Sequence, residues 1–395
     1  MTSTYTTSTA STGGTGGTGG TGSPAGPGSL RVTASPEDAA AGTEAEADTV
    51  RMGVFVPSTK AQWSAHTDPR EAVSFGVRAE RTGFDSLWAT DSLLTPRLEA
   101  LTVLAALAAV TDRVTLGTGA LLPALRTPVQ AAQTIASVDL LSGGRLVLGV
   151  GAGFPGRFGQ PVYAMVGTPW PRRFRRLDET VELWRRLWTG EGPVSYHGEV
   201  LHFDDIAPGT RTFRPGGPPV WLGGATPAAL ARAGRLYDGW LPYPPDPAAY
   251  GQGLAAIRTA AGEAGRGEAP ITPALFVNTL ITGAADGGRA ALDTYARANY
   301  GLPVEEMEKI QAVAAGTPEA VVEQLGRYVA EGARHLVLRV AVLDIPAQAA
   351  QLDRLVALRP ALNALLPNLG DGPGTAGVRP DAGGVRPDAG GVRRR

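Results

Sequence analysis

Val114-Thr-Leu-Gly-Thr-Gly-Ala-Leu-Leu122 and Leu146-Val-Leu-Gly-Val-Gly151 are two short apolar runs with a helical pattern over 127–140 between them. Each run is mostly apolar on both faces, as a strand buried in a parallel sheet must be, and the helical stretch is the crossover that such a pair requires. The same alternation extends in both directions. Upstream lie Met52–Pro57 and Asp85–Thr90; downstream lie Pro219–Gly223, Gly239–Pro242, Ala274–Thr282 and His335–Val340. Helical patterns are read over 69–82, 97–110, 226–236, 246–264, 286–298, 317–332 and 346–365, with the clearest beginning near Arg172. There Phe174, Leu177, Val181, Trp184, Leu187 and Trp188 share one stripe. Eight β-α units in about 320 residues fit an α/β fold of one closed (β/α)8 TIM barrel better than an open doubly wound sheet, although the alternation is common to both.

Two excursions interrupt the pattern. Residues 152–171 are Gly/Pro-rich and follow the fourth strand, at the rim where barrel sites lie. Residues 190–218 form the second, with a hairpin expected around Tyr196-His197-Gly198-Glu199.

Of 395 residues 43% are hydrophobic and 18% charged, with a net charge of -1, which excludes a disordered chain or a strongly basic nucleic-acid binder. No apolar run reaches the roughly eighteen residues of a membrane span. With no cysteine, disulfides, thiolate metal sites and cysteine nucleophiles are excluded. Only Lys60 and Lys309 are lysines, so 34 of the 36 basic residues are arginine, which reads as GC-rich codon usage and not as a phosphate-binding surface.

Residues 1–50 are a Thr/Ser/Gly/Ala leader, expected to be disordered, and lack the basic start and apolar middle of a secretory signal, so a cytoplasmic location is expected. Met52 opens the first patterned segment and is an alternative start. At the other end Gly377-Val-Arg-Pro-Asp-Ala-Gly383 recurs as Gly384-Val-Arg-Pro-Asp-Ala-Gly390, so 371–395 reads as a disordered, weakly basic tail. The barrel is assigned to 51–370.

Among the glycines, Gly151-Ala-Gly-Phe-Pro-Gly156 spells a dinucleotide fingerprint, but no helical pattern starts before about Trp170, so the amides such a site needs are not expected. Val220-Trp-Leu-Gly223-Gly224-Ala-Thr226-Pro227 is better. Thr226 is a natural N-cap and Pro227 a first-turn residue, so free amides there suit a cofactor phosphate; a plain strand-to-helix turn has the same spelling. Asp91 closes the second strand, where a carboxylate reads as functional; the alternative is a cap for the helix after Thr95-Pro96. Two glycines near the end of strand three, Gly117 and Gly119, point to a bulge or a closely approached backbone.

Four histidines occur. His66 follows strand one and is within reach of the mouth. His197 and His202, five apart in a hairpin, are expected on opposite faces unless a turn intervenes, and so not to share a metal. His335 precedes strand eight and reads as structural. Asp204-Asp205 is expected to be a solvated loop pair. Hydrolase motifs are absent.

Gly83-Phe-Asp-Ser-Leu-Trp-Ala-Thr-Asp91, Thr111-Asp-Arg-Val-Thr-Leu-Gly-Thr-Gly119, Leu140-Leu-Ser-Gly-Gly-Arg-Leu-Val-Leu-Gly-Val-Gly151, Arg176-Leu-Asp-Glu179, Pro219-Val-Trp-Leu-Gly-Gly224 and Asp238-Gly-Trp240 occur in that order. Together they resemble the bacterial-luciferase-like monooxygenase superfamily over about 51–365. The resemblance implies a (β/α)8 barrel with FMN or the deazaflavin coenzyme F-420 at its carboxyl face. It implies cofactor contacts at Asp91, Gly119, Ala120, Leu122, Gly223, Gly224 and Thr226, and a cis non-prolyl bond at Gly119–Ala120. Two positions depart from the pattern: Ser92 stands where many members have His, and Phe154 where some sugar-phosphate dehydrogenases have Glu.

The main expectation is hydride transfer between reduced coenzyme F-420 and a small organic substrate, in either direction, with the GC-rich composition suiting organisms that make the deazaflavin. The alternatives are an FMN-dependent monooxygenase that uses O2 with a separate flavin reductase as partner, and a non-catalytic flavin-binding relative. A nicotinamide-dependent aldo-keto barrel would need an Asp/Tyr/Lys/His set, and neither Lys60 nor Lys309 is expected at a strand's carboxyl end. Proton-handling candidates are His66, Ser92 and Tyr243, with Arg173 as an anion clamp, and Trp240-Leu-Pro-Tyr-Pro-Pro245 is expected to line an aromatic pocket. The resemblance also implies a homodimer. No metal, nucleic acid or membrane partner is expected.

Overall fold

The computed structural model describes residues 49–63, 67–153, 159–267, 271–283 and 286–366. Residues 1–48 of the expected leader, the tail, His66 and Phe154 lie outside the described residues; Val50, expected to end the disordered leader, is instead buried, its amide donating to Asn363 at 2.8 Å.

Eight parallel strands close into a barrel. They are β1 (Arg51–Phe55), β2 (Ser86–Ala89), β3 (Thr115–Leu121), β4 (Leu146–Val150), β7 (Val220–Leu222), β8 (Gly239–Trp240), β9 (Thr272–Ile281) and β11 (His335–Val340). Between β4 and β7 an antiparallel hairpin of β5 (Val194–His197) and β6 (His202–Ile206) leaves the barrel. β11 returns to β1 through Arg51↔His335, Met52↔Leu336, Gly53↔Val337 and Val54↔Leu338. That last pairing removes both edges and decides between closed barrel and open sheet. All eight predicted strands are the barrel strands. One was not predicted: β10 (Val313–Gly316), four residues long, adds to the outer part of β9.

The helices start where the sequence places capping oxygens. Thr226, Thr317 and Asp344 each accept from the backbone amide three residues on, and a proline follows Thr226 and Thr317 at the first helical position. Outside the strands, two buried carboxylates gather the backbone. Glu80 accepts from the amides of Asp112, Arg113 and Val114, and Glu179 from those of Glu199, Val200 and Leu201. In both, these amide bonds outweigh the burial that raises a carboxyl's pKa, and the group stays below its ordinary value.

Three expectations are corrected. His197 and His202 are cross-strand partners with ring centroids 6.4 Å apart, because the turn between them folds both onto one side. Both are exposed, and no group of three metal-ligating side chains exists among the described residues. Asp204 and Asp205 lie in β6 and not in a loop, although both are exposed; Asp204 faces His197 at 3.2 Å. A short helix, Gln160–Met165, begins well before Trp170, although it does not start at the glycines as a dinucleotide site requires.

The barrel interior is filled from the amino end upward. Trp88 and Trp221 lie side by side, centroids 5.2 Å apart, with His335 edge-on to both. Two large indoles fit because the neighbouring strands carry no side chain beside them. A Cβ on Gly117 would fall 2.4 Å from the Trp88 ring, and one on Gly239 2.5 Å from Trp221. Phe55, Leu241, Val147 and Phe276 form the next layer.

Candidate active site

Side chains alternate inward and outward along each strand, so the residue two positions above the Trp88–Phe55 layer is the last to face the axis. Those residues are Thr90 after β2, Gly119 in β3, Gly151 after β4, Gly223 after β7, Tyr243 after β8, Asn278 in β9 and Arg339 in β11. Phe55, Trp88, Trp221 and Leu241 below them are at most 5% exposed, whereas Gly119, Gly151, Gly223, Tyr243 and Arg339 are all partly open. The interior therefore meets solvent at this layer, on the carboxyl face where barrel sites are built.

Its two halves differ. On β3, β4 and β7 the wall is glycine, and the peptide between Gly119 and Ala120 is cis. Packing explains Gly119, whose Cβ would meet Phe55 at 2.7 Å. It does not explain Gly151 or Gly223, where the nearest atoms to an added Cβ are 3.7 and 3.6 Å away. Those two glycines leave space in front of a flat backbone. The opposite half is polar. Asn278 donates to Gln311 at 2.8 Å and accepts from Tyr295 and Tyr300 at 3.3 and 3.2 Å, while Arg339 pairs in register with Asn278 and donates to the Tyr300 hydroxyl at 3.2 Å. The top layer therefore has one flat glycine side and one polar side.

At the rim, Gly223-Gly224-Ala225 leads into the helix Pro227–Leu236, with Gly224 at φ 97° and Thr226 accepting from Ala229 at 3.3 Å. The remaining first-turn amides face outward at the top of β7, an arrangement that suits an anion. Across β4, Arg173 and Arg176 lie beside Gly151 and Tyr163, and the Nε of each is buried with no hydrogen-bond partner.

The other predicted residues distribute as follows. The Asp91 side chain is 4% exposed, accepts from the Leu122 amide at 3.0 Å, and pairs with Arg126 at 2.7 Å. It does not cap the following helix; Glu99 does. Ser92 lies above the top layer, its hydroxyl accepting from the Leu94 amide at 3.1 Å. Tyr243 lies in the top layer against Phe276, centroids 5.9 Å apart, and burial pushes its phenol above the usual value. Trp240 does not line the mouth: with Gly239 facing in, it faces out, stacks on Tyr250 and donates to the Gly224 carbonyl at 2.8 Å. His335 lies deep under Trp88, bound to Ser86 at 2.7 Å, and burial holds it down at about 3. Arg97 and Arg339 were not anticipated. Arg339 was legible as the inward position of a strand whose phase His335 and Val337 set.

A surface cavity of about 550 Å³ lies around Arg185 and Asp238. It opens at the amino ends of β7 and β8, away from this face.

A family model described as luciferase-like monooxygenase matches residues 50–335. The F420-dependent glucose-6-phosphate dehydrogenase of Amycolatopsis mediterranei (strain U-32) is 37% identical over 183 residues, 44% of this chain and 53% of that protein. The protein of the same description from Microbacterium testaceum (strain StLB037) is 31% identical over 300 residues, 68% of this chain and 87% of its own. The chain spans little more than half the length of several such relatives, 53%, 57% and 58%. Among solved structures, an F420-dependent secondary alcohol dehydrogenase in complex with an F420-acetone adduct superposes with a TM-score of 0.67 at 22% identity, covering 80% of this chain and 99% of that one.

Proposed function

Because the chain belongs to the luciferase-like monooxygenase family, we propose that it is an oxidoreductase that binds coenzyme F-420 at the carboxyl face of its barrel and exchanges a hydride with a small organic substrate. The observation that carries this reading is the glycine wall. Gly151 and Gly223 lack side chains that the fold itself has room for, so their absence serves a ligand. The donor set fits a phosphodiester-bearing deazaflavin. The amides beyond Gly223, Gly224 and Thr226, and the unpartnered Nε of Arg173 and Arg176, are where its anionic tail would be held. The cis peptide at Gly119–Ala120 and the Leu122 backbone would back the ring. Asp91 acts through Leu122 and not as a direct ligand, since Arg126 and that amide already engage its carboxylate.

The bound deazaflavin would supply two-electron hydride exchange, and the chain supplies position and a dry floor. Phe55 and Phe276 exclude water beneath the top layer. Of the proton-handling candidates, Tyr243 is the one in the top layer. Its raised pKa keeps it protonated at neutral pH, so it donates and does not act as a base. Relatives at 31% and 37% identity described as F420-dependent support the deazaflavin over FMN. The test is a fluorescence titration with F-420 and with FMN. Selective F-420 binding supports the reading, and selective FMN binding would replace it with oxygen chemistry and a reductase partner.

A further inference from the structure

Two guanidiniums face the mouth with no carboxylate of their own. Arg339 rises from the aromatic floor, its guanidinium carbon 4.4 Å from the Phe55 ring centroid and 5.0 Å from that of Phe276. That contact holds the cation by its flat face; of its edge donors, Nη1 is engaged by the Tyr300 hydroxyl at 3.2 Å and the others are left for the mouth. Arg97 enters from the loop after β2. It donates from Nη1 to Thr90 at 2.9 Å, from Nε to the Thr95 carbonyl at 3.4 Å and from Nη2 to the Thr95 hydroxyl, all neutral acceptors. Its backbone is tied over the end of β1 by a bridge to Thr59 and by bonds between Lys60 and Pro96 and between Leu98 and Ser58, each 2.9 Å. β2, β1 and β11 are neighbours, so both side chains overhang the same sector of the barrel. Tyr300 bonds Arg339 and also lies within electrostatic reach of Arg97.

Among the described residues neither arginine has an ion-pair partner, whereas Arg126 beside them has two, Asp91 and Glu99. Burial, and then the like charge of Arg339, hold Arg97 down at about 10, still a cation at neutral pH. Like charges held together in a half-buried mouth repel, and an anion between them relieves that repulsion. Guanidinium edges suit a carboxylate and a phosphate alike, and a phosphate dianion gains further from free helix amides beside them. The helix after β11 offers fewer of these, because Asp344 occupies the Ala347 amide at 3.1 Å.

Resting on the hydride-transfer reading above, we propose that Arg97 and Arg339 together clamp a carboxylate of the substrate, holding its reacting carbon against the glycine wall. The assignment makes this a site for small carboxylic acids and separates substrate binding from the cofactor's anion site across the barrel.

The test is calorimetric titration of the full chain, with and without F-420, using succinate, its uncharged diamide and inorganic phosphate. Succinate is expected to bind and the diamide not. Arg97→Gln and Arg339→Gln should each weaken succinate about tenfold or more, while F-420 affinity stays within about twofold. Unchanged succinate binding in both variants, no succinate binding by a chain that binds F-420, or tighter binding of phosphate would overturn the clamp. A parallel loss of F-420 affinity would also overturn it, by placing the arginines on the cofactor. Succinate binding through both arginines in a chain that fails to bind F-420 would support the clamp and sink the cofactor reading alone. Arg97 lies in a loop outside the barrel core, so Arg97→Gln carries the test if Arg339→Gln does not fold.

Discussion

Arg126 grips Asp91 with both ends of its guanidinium, Nη1 to Oδ2 at 2.7 Å and Nη2 to Oδ1 at 3.1 Å, while the Leu122 amide donates to the same Oδ2 at 3.0 Å. The carboxylate that ends β2 is thereby spent on fixing the backbone just beyond the cis peptide of β3.

Removing Arg126 leaves Asp91 buried at 4% exposure with no counter-charge, whereas Arg126, 17% exposed, keeps Glu99 when Asp91 is neutralised. Arg126→Met should therefore lower unfolding free energy by about 3 kcal/mol, and Asp91→Asn by less, because an amide still accepts from Leu122. In a denaturant double-mutant cycle the pair should cost clearly less than the sum. Additive losses would show that the two residues do not act together.

The glycine wall makes opposite predictions for neighbouring positions. Gly223→Ala adds a methyl with no atom nearer than 3.6 Å, so its melting temperature should hold while F-420 affinity falls by about tenfold or more. Gly117→Ala places a methyl 2.4 Å from Trp88 and should cost about 1–3 kcal/mol or more of stability. Weak cofactor binding by a destabilised Gly223→Ala would mean that this glycine serves packing.

His335 sets a pH dependence. Burial depresses its pKa from 6.5 to about 3, and its Nδ1 is buried without a partner. The unfolded chain thus binds a proton that the folded chain refuses. This stability is complete above pH 6.5 and is lost as pH falls toward 3, by up to about 1.4 kcal/mol per pH unit. Glu80 and Glu179, held below their ordinary 4.5, begin to contribute only lower down. Burial raises the Asp139 carboxyl, which acts in the opposite sense, so the histidine's share between pH 6.5 and 5 is read by difference: His335→Gln should flatten the slope there. A slope that persists in this variant would assign it elsewhere.

The fold was legible because eight runs are apolar on both faces, and the cap at Thr226 because threonine before proline has few other readings. β10 was not: Val-Ala-Ala-Gly at 313–316 is too short and too poor in large side chains to stand out, and only the length of β9 gives it a partner. Several motif residues that carry the resemblance prove to be scaffold. Asp178 holds Arg232 and Tyr237, Glu179 holds the hairpin turn, and Arg145 binds the carbonyls of Ala108 and Thr111. Arg97 escaped notice because its place over β1 depends on a bridge to Thr59, a contact between loops 38 positions apart that no periodicity encodes.

The central claim is that the glycine wall holds a deazaflavin, and the most direct measurement is an equilibrium fluorescence titration of the full chain with F-420 and with FMN, run in parallel on Gly223→Ala. Selective, saturable F-420 binding by the wild-type chain, lost in a Gly223→Ala protein that melts at the same temperature, is the predicted result. A folded wild-type chain that binds neither cofactor, or a Gly223→Ala variant that binds F-420 as tightly as the wild type, would contradict it.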